Sequence, residues 1–222
     1  CRISKAARFR LETWGFLTHN LFMIVALLTD FGTRDYFVGA VKGTILTIAP
    51  ATKAVDVSHE IEPQNVLEAA FTLGACCMDF PKGTIFMAVV DPGVGSTRRP
   101  IVVEAAERIF VCPDNGILSP VPGITENYSA FEITEPRLMA EQVSTTFHGR
   151  DIFAHGTGHL ANGVRPVEFG PTIDYPLVGD GSVTIDLFDD ALLVAFPFGE
   201  APGGKRDIGL PEQTEPPRTD DQ

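Results

Sequence analysis

The run VVDPGVGSTRR, residues Val89–Arg99, is where the chain changes character. Two β-branched residues, Val89 and Val90, close a predicted buried strand, and Asp91 sits where it stops. Pro92 has no N–H to extend a ladder and pushes Asp91 toward extended geometry. Gly93 and Gly95 admit positive φ and close backbone approach, and Arg98 follows on the far side of the turn. The pattern predicts a tight loop at the C-terminal end of a strand, holding a carboxylate and a guanidinium near each other. In open α/β sheets that edge is where ligands bind. The plain alternative is a bland turn with an exposed ion pair, worth little.

Upstream of that loop the strand covers Thr84–Val90, entered through the turn Pro81-Lys82-Gly83. Earlier still, Met23–Thr29 reads as a first buried strand, and the loop TDFGTRD after it places Asp30 and Asp35 on either side of Gly32. Asp35 is positioned to cap a helix running to about Ile48, with Phe37, Val38, Val41, Ile45 and Ile48 on one face and Pro50 ending it. Ala54–Val57 reads as a second strand, closed by SHEIEP. Pro63 then suits the first turn of a second helix, with Val66, Ala69, Ala70, Leu73 and Cys77 at helical spacing. Downstream, Ile101–Ala105 and Arg108–Cys112 predict a hairpin around Ala106-Glu107, PDNG (Pro113–Gly116) a turn, and Ala130–Ile133 a short strand. Thr146–Gly163 carries helical spacing through Ile152, Phe153 and Leu160, with Gly163 as the stop. Strands alternating with helices indicate a largely parallel α/β sheet.

The 222 residues are 44% hydrophobic and 21% charged, enough for a real core. A net charge of −12 argues against nucleic acid or an anionic membrane as partner, since phosphate binding needs a basic face. Four cysteines (Cys1, Cys76, Cys77, Cys112) lack metal-type spacing and fit buried thiols in a reducing compartment. The longest apolar run, Leu21–Leu28, is too short to span a bilayer. It follows the basic stretch Arg2–Arg10 as in a signal peptide, but without a small-residue cleavage site. The absence of an initial Met fits a fragment or a processed product.

Several polar residues fall in loops near strand ends: Asp30, Asp35, Asp91, Arg98, His59 and His148. Asp35 is equally a plain helix cap, and His59 a satisfied turn histidine. Asp114 and Asn115 suit an ordinary turn. His155 and His159 are four apart on a helix, yet HGTGH lacks the glutamate of HExxH, so no metal is expected. TDFGT lacks the frame of a phosphate loop.

Five blocks taken in order, TDFGTRDYFVGAVKGTI, VDVSHEIEPQNVLEAA, FPKGTIFMAVVDPGVGSTRRP, PDNGIL and TFHGRDIFA, resemble the S-adenosyl-L-methionine (SAM) hydroxide adenosyltransferase family. These SAM hydrolases are relatives of the SAM-dependent fluorinase and chlorinase. The likeness covers about Ile24 to Gly170. It implies the reaction of SAM with water to adenosine and L-methionine, with SAM as substrate and no cofactor, in a cytoplasmic homotrimer. It implies that Asp91, Arg98 and His148 are the catalytic triad and that Asp30 binds the ribose. Asp35, Phe147 and Phe188 join it as expected substrate-binding residues. The halogenases place a tyrosine at the position of Asp91 and a serine at that of Gly149; this chain has the hydrolase residue at both.

The implied chemistry suits these residue types. Hydroxide attacking C5′ of a sulfonium neutralises charge, which a dry pocket favours. Making hydroxide near pH 7 from water of pKa ~15.7 costs on the order of 12 kcal/mol. A guanidinium held by Asp91 stabilises the developing hydroxide, and His148 accepts or relays the proton. An ionised Asp30 accepts from both ribose hydroxyls, and Phe147 supplies an apolar wall.

The full expectation is an α/β fold: a Rossmann-like, mostly parallel sheet N-domain with a truncated or degenerate β C-terminal domain. Its divisions are an extension over 1–22, the α/β domain over 23–170, a β-barrel remnant over 171–197 and a disordered tail over 198–222. In the remnant, GDGSVTIDLFDDALLVAF predicts a β-hairpin or two short strands. Family members bind substrate between one subunit's N-domain and its neighbour's barrel. A shortened barrel therefore predicts an open half-site, with Asp91, Arg98 and His148 exposed to bulk water. Two functions stay open at this point: an active SAM hydrolase, and an impaired remnant that binds SAM or adenosine. A halide-using variant is a third.

Overall fold

The computed structural model describes residues 22–124, 127–173, 184–188 and 191–195. Six strands form one sheet: β1 (Ile24–Thr29), β2 (Lys53–Ser58), β3 (Ile85–Val89), β4 (Pro100–Ala105), β5 (Arg108–Pro113) and β6 (Tyr128–Glu132). Their order is β2-β1-β3-β5-β4-β6. β1 pairs in parallel with β2 and β3, and β3 in parallel with β5. β4 runs antiparallel between β5 and β6. The sheet is thus mixed, and the reversal comes from the Ala106-Glu107 turn. Both residues take positive φ, 50° and 58°, the backbone that a two-residue hairpin matched to strand twist requires.

Val25–Thr29 of β1 and all of β3 are buried, as strands covered on both faces must be. Alternate residues enter opposite layers. Helix α1 (Phe37–Ile48) sends Val41 and Ile45 into the layer formed by Val25, Leu27, Ile85, Met87 and Val89. Helix α2 (Val66–Cys76) sends Ala69, Ala70 and Leu73 into the other, against Ala26, Leu28, Phe86 and Ala88. The chain therefore leaves β1 over one face and enters β3 over the opposite face. The winding reverses between β1 and β3, and in open α/β sheets ligands bind outside the carboxyl ends of the strands at such a point.

Two helix starts differ from expectation. Asp35 does not cap α1: the capping position is Tyr36, in helical backbone with no side-chain cap, and the Asp35 carboxylate takes only the adjacent Tyr36 N–H at 2.6 Å. Pro63 lies outside α2. Asn65 caps that helix instead, accepting from Glu68 N at 3.0 Å, because Gln64 at φ 66° breaks any helical path from Pro63. The third helical segment opens as a π-helix, Gly149–Ala154, and continues as α3 (His155–Ala161), which Gly163 at φ 94° ends.

β7 (Thr184–Phe188) and β8 (Ala191–Ala195) form a separate antiparallel hairpin. The expectations for residues 1–21, for the tail over 198–222 and for the Phe188 side chain lie outside the described residues. No helix among the described residues is long and apolar enough to cross a membrane.

Candidate active site

The loop after β3 is built by its own short-range bonds. Val94 N donates to the Asp91 carbonyl (3.2 Å), Ser96 N to the Gly93 carbonyl (3.1 Å), and Arg98 N to Ser96 Oγ (3.2 Å). Gly95 is required twice: its φ is 76°, and a Cβ there would stand 2.8 Å from the Thr145 carbonyl oxygen. The PDNG turn clamps the base of the loop. Asn115 Nδ2 donates to the Val90 carbonyl (2.9 Å), Asp114 N to the Arg99 carbonyl (2.9 Å), and Arg99 Nε to Asp114 Oδ2 (2.8 Å). Asp114 and Asn115 are therefore braces for the Asp91 loop and more than an ordinary turn; their adjacency to a strand end was the available signal.

Within this frame Arg98 grips Asp91 with two donors. Nε donates to Oδ1 at 3.0 Å and Nη2 to Oδ2. Both side chains are only 7% exposed, and the guanidinium lies over the Phe153 ring, 5.2 Å from its centroid. These two side chains are thus buried, contrary to the expected exposure to bulk water, whereas His148 is half-buried. The Phe153 ring that lies over the guanidinium belongs to the π-helix. Arg98 Nη1 is also buried and has no hydrogen-bond partner. An unsatisfied donor on a buried cation is costly, and it marks where an anionic or water oxygen fits.

His148 is brought to the same place from the other side of the sequence. It immediately precedes the π-helix, and its Nδ1 lies 3.4 Å from Arg98 Nη2. Burial and then the Arg98 charge hold its pKa below the usual histidine value; the Asp91 and Asp151 charges and the Ser144 backbone oppose them without prevailing. The imidazole is therefore neutral near pH 7, as a proton acceptor must be.

Asp151 holds the segment that delivers His148, a role sequence reasoning did not single out. Its carboxylate, 1% exposed, accepts from Ser144 N (2.8 Å) and Arg150 Nε (2.6 Å). Ser144 Oγ in turn accepts from Phe147 N at 3.0 Å. Burial raises the Asp151 carboxyl pKa, but these hydrogen bonds outweigh it and leave it low. The signal was its position three residues after His148.

Phe147 joins an edge-to-face cluster with Phe31 (6.1 Å) and Phe37 (5.0 Å). A Cβ on Gly149 would lie 2.6 Å from Phe31 Cζ, so the glycine makes room for this cluster. Asp30 directly follows Thr29, which is in register with Val89. Asp30 and Asp91 thus leave the same edge on adjacent strands. Asp30 Oδ2 accepts from Gln64 N at 2.8 Å. Asp35 is exposed and bonds only to its neighbour, so nothing draws it to the triad. Cys112 lies nearby, but burial pushes its thiol well above the ordinary value. No group of three or more His, Cys, Asp or Glu among the described residues is placed to hold a metal ion.

Comparison with known proteins bears on this geometry. Residues 25–170 match the model of the SAM hydroxide adenosyltransferase N-terminal domain. The chain is 36% identical over 151 residues to the (R)-S-adenosyl-L-methionine hydrolase of Salinispora tropica, covering 68% of this chain and 58% of that one. It is 29% identical over 163 residues to a fluorinase of Nocardia brasiliensis, covering 63% and 54%. Among solved structures, an uncharacterized conserved protein from Thermotoga maritima superposes with a TM-score of 0.64 at 36% identity, covering 69% of this chain and 60% of that one. The chain spans less than two thirds of the length of each of these relatives.

Proposed function

The chain belongs to the SAM hydroxide adenosyltransferase family, and from that premise we propose that it hydrolyses SAM to adenosine and L-methionine. One observation carries the reading: a buried Asp91–Arg98 pair with His148 beside it and an unpartnered guanidinium nitrogen. Water held at Arg98 Nη1 attacks C5′ of SAM. The new C–O bond forms as the C5′–S bond breaks, its electron pair leaving with sulfur as the neutral thioether of methionine. The water proton passes to neutral His148, and Asp91 keeps the guanidinium oriented. Asp30, at the same sheet edge, accepts from the ribose hydroxyls through an oxygen that Gln64 N does not occupy. Phe147 forms an apolar wall.

The winding reversal between β1 and β3 supports a Rossmann-like reading of the domain. Free Cys76, Cys77 and Cys112 support a reducing, cytoplasmic setting. The homotrimer, with substrate at a subunit boundary, rests on the family resemblance. The test is incubation with SAM in ¹⁸O-water, followed by mass spectrometry. The label should enter the 5′-hydroxyl of adenosine, leave methionine unlabelled, and vanish with Arg98→Ala. Binding without adenosine release would favour the non-catalytic remnant, and a 5′-halide product would favour the halogenase reading.

A further inference from the structure

His59 lies outside the triad, yet it is 4% exposed and faces polar partners at three points. Its Nδ1 is 2.8 Å from Thr29 Oγ1. Its Nε2 is 3.0 Å from Asp56 Oδ1, off the ideal hydrogen-bond line. Its carbonyl accepts from Gly32 N at 2.7 Å. Thr29 Oγ1 also accepts from Phe31 N at 3.3 Å. With Nε2–H facing the carboxylate, a neutral imidazole accepts at Nδ1 from the Thr29 hydroxyl. The hydroxyl's lone pair is then free for Phe31 N–H. Asp56 is itself held by Lys42 Nζ at 2.6 Å.

A threonine, a histidine and an aspartate in line have the form of an activated nucleophile. Thr29, however, is 1% exposed and ends a central strand, so no substrate reaches its oxygen. The bonds instead stitch together two loops. One is Thr29–Thr33, which carries Asp30. The other runs from His59 to Gln64, whose N–H binds Asp30 and whose Glu60 accepts from Thr33 Oγ1 at 2.7 Å. The second loop starts from a bulge in β2, where Leu27 pairs with Asp56 and Leu28 with Ser58. A bulge re-aims the residues next in the chain, and here the imidazole is among them.

We propose that His59 is a positioning residue for Asp30: it fixes the path of Thr29–Gly32 so that the carboxylate meets the vicinal hydroxyls of a ribose. The inference rests on the reading of Asp30 as the diol acceptor, and the test separates the two. Adenosine and 2′,3′-dideoxyadenosine are titrated calorimetrically into the full chain and its variants. The wild-type protein should prefer adenosine, and Asp30→Ala should erase that preference. His59→Ala should weaken adenosine about tenfold, the loss of one well-placed hydrogen bond to a charged group, and leave the dideoxynucleoside unchanged. His59→Asn, whose amide oxygen can accept from the Thr29 hydroxyl, should recover part of the preference. If His59→Ala fails to fold, Thr29→Val removes the same hydroxyl at nearly constant shape, and the same selective loss is expected.

Equal weakening of both nucleosides by a folded His59→Ala or Thr29→Val would reduce His59 to a structural part and overturn the inference. So would no change in either while Asp30→Ala remains selective. A diol preference that survives Asp30→Ala, or a wild-type chain that binds neither nucleoside, would overturn the reading of Asp30 and the inference with it.

Discussion

Asp91→Asn is the sharpest probe of whether the candidate site is enclosed. Each side chain of the Asp91–Arg98 pair is 7% exposed, and the guanidinium lies over the Phe153 ring. Nη1 already lacks a partner, so the substitution removes the charge that compensates a buried cation. Breaking such a pair from one side costs about 3–5 kcal/mol, whereas an exposed pair is worth about 0–1 kcal/mol. At roughly 2–4 °C per kcal/mol for a domain of this size, the melting temperature should fall by about 6–20 °C. Asp91→Asn combined with Arg98→Met leaves no buried charge and should recover much of that loss. The assay is urea denaturation of wild type, both single variants and the double variant, giving a coupling energy. A coupling below about 1 kcal/mol would show a solvent-screened pair and refute the burial argument. It would restore the open half-site that the sequence suggested.

Two further outcomes are expected. Because burial and Arg98 hold His148 below the ordinary histidine value, its neutral, proton-accepting form persists to lower pH than in a free histidine. Adenosine release should stay flat above neutrality and fall only below about pH 6.5. An unfolded chain binds this proton more tightly, so His148's contribution to stability should rise with pH through that window and level off above it. NMR titration of the imidazole checks the midpoint, and Asp91→Asn should move it lower still by removing a favourable charge. Gly149→Ser places a Cβ 2.6 Å from Phe31 Cζ within a cluster that pins that ring, and should cost about 1–3 kcal/mol. Phe31→Leu in the same chain should relieve most of the loss; thermal melts of the pair decide, and additive losses would show the contact is not the cause.

Much of this was readable in the residues because local chemistry settled it. The buried runs Val25–Leu28 and Ile85–Val89 had no polar face and had to be central strands. DPGVG had to turn, and it had to leave Asp91 and Arg98 on one loop. The helix starts were not readable, because Asp35 and its neighbour Tyr36 before α1, and Pro63 and Asn65 before α2, are alternative starts on local terms and tertiary contacts choose between them. Gln64 in left-handed backbone, tied through its N–H to Asp30, is one such contact. The hairpin that makes the sheet mixed was readable from the two apolar runs flanking Ala106-Glu107, although neither residue favours the positive φ it holds. The burial of Asp91 and Arg98 was misjudged because the cover was sought in a distant segment. Phe153, which lies against Arg98, is in the α/β domain itself.

The charges in the site explain why its parts belong together. Asp91 and Arg98 offset each other and His148 is neutral, so the three present no net charge to a cationic sulfonium. In the proposed reaction, as C5′–S breaks, positive charge leaves sulfur and a proton's charge arrives on His148, so the total is unchanged. The imidazolium then stands beside the Arg98 cation at 3.4 Å, a repulsion of about 5 kcal/mol at an effective dielectric near 20 before solvent screening. Asp91, held against the same guanidinium, is the group whose field offsets that repulsion. In the proposed reaction its part is therefore twofold: to orient Arg98 for the attacking oxygen, and to make the proton's destination tolerable. A tyrosine in its place, neutral and longer, could do neither, which supports the proposal of water as the attacking group.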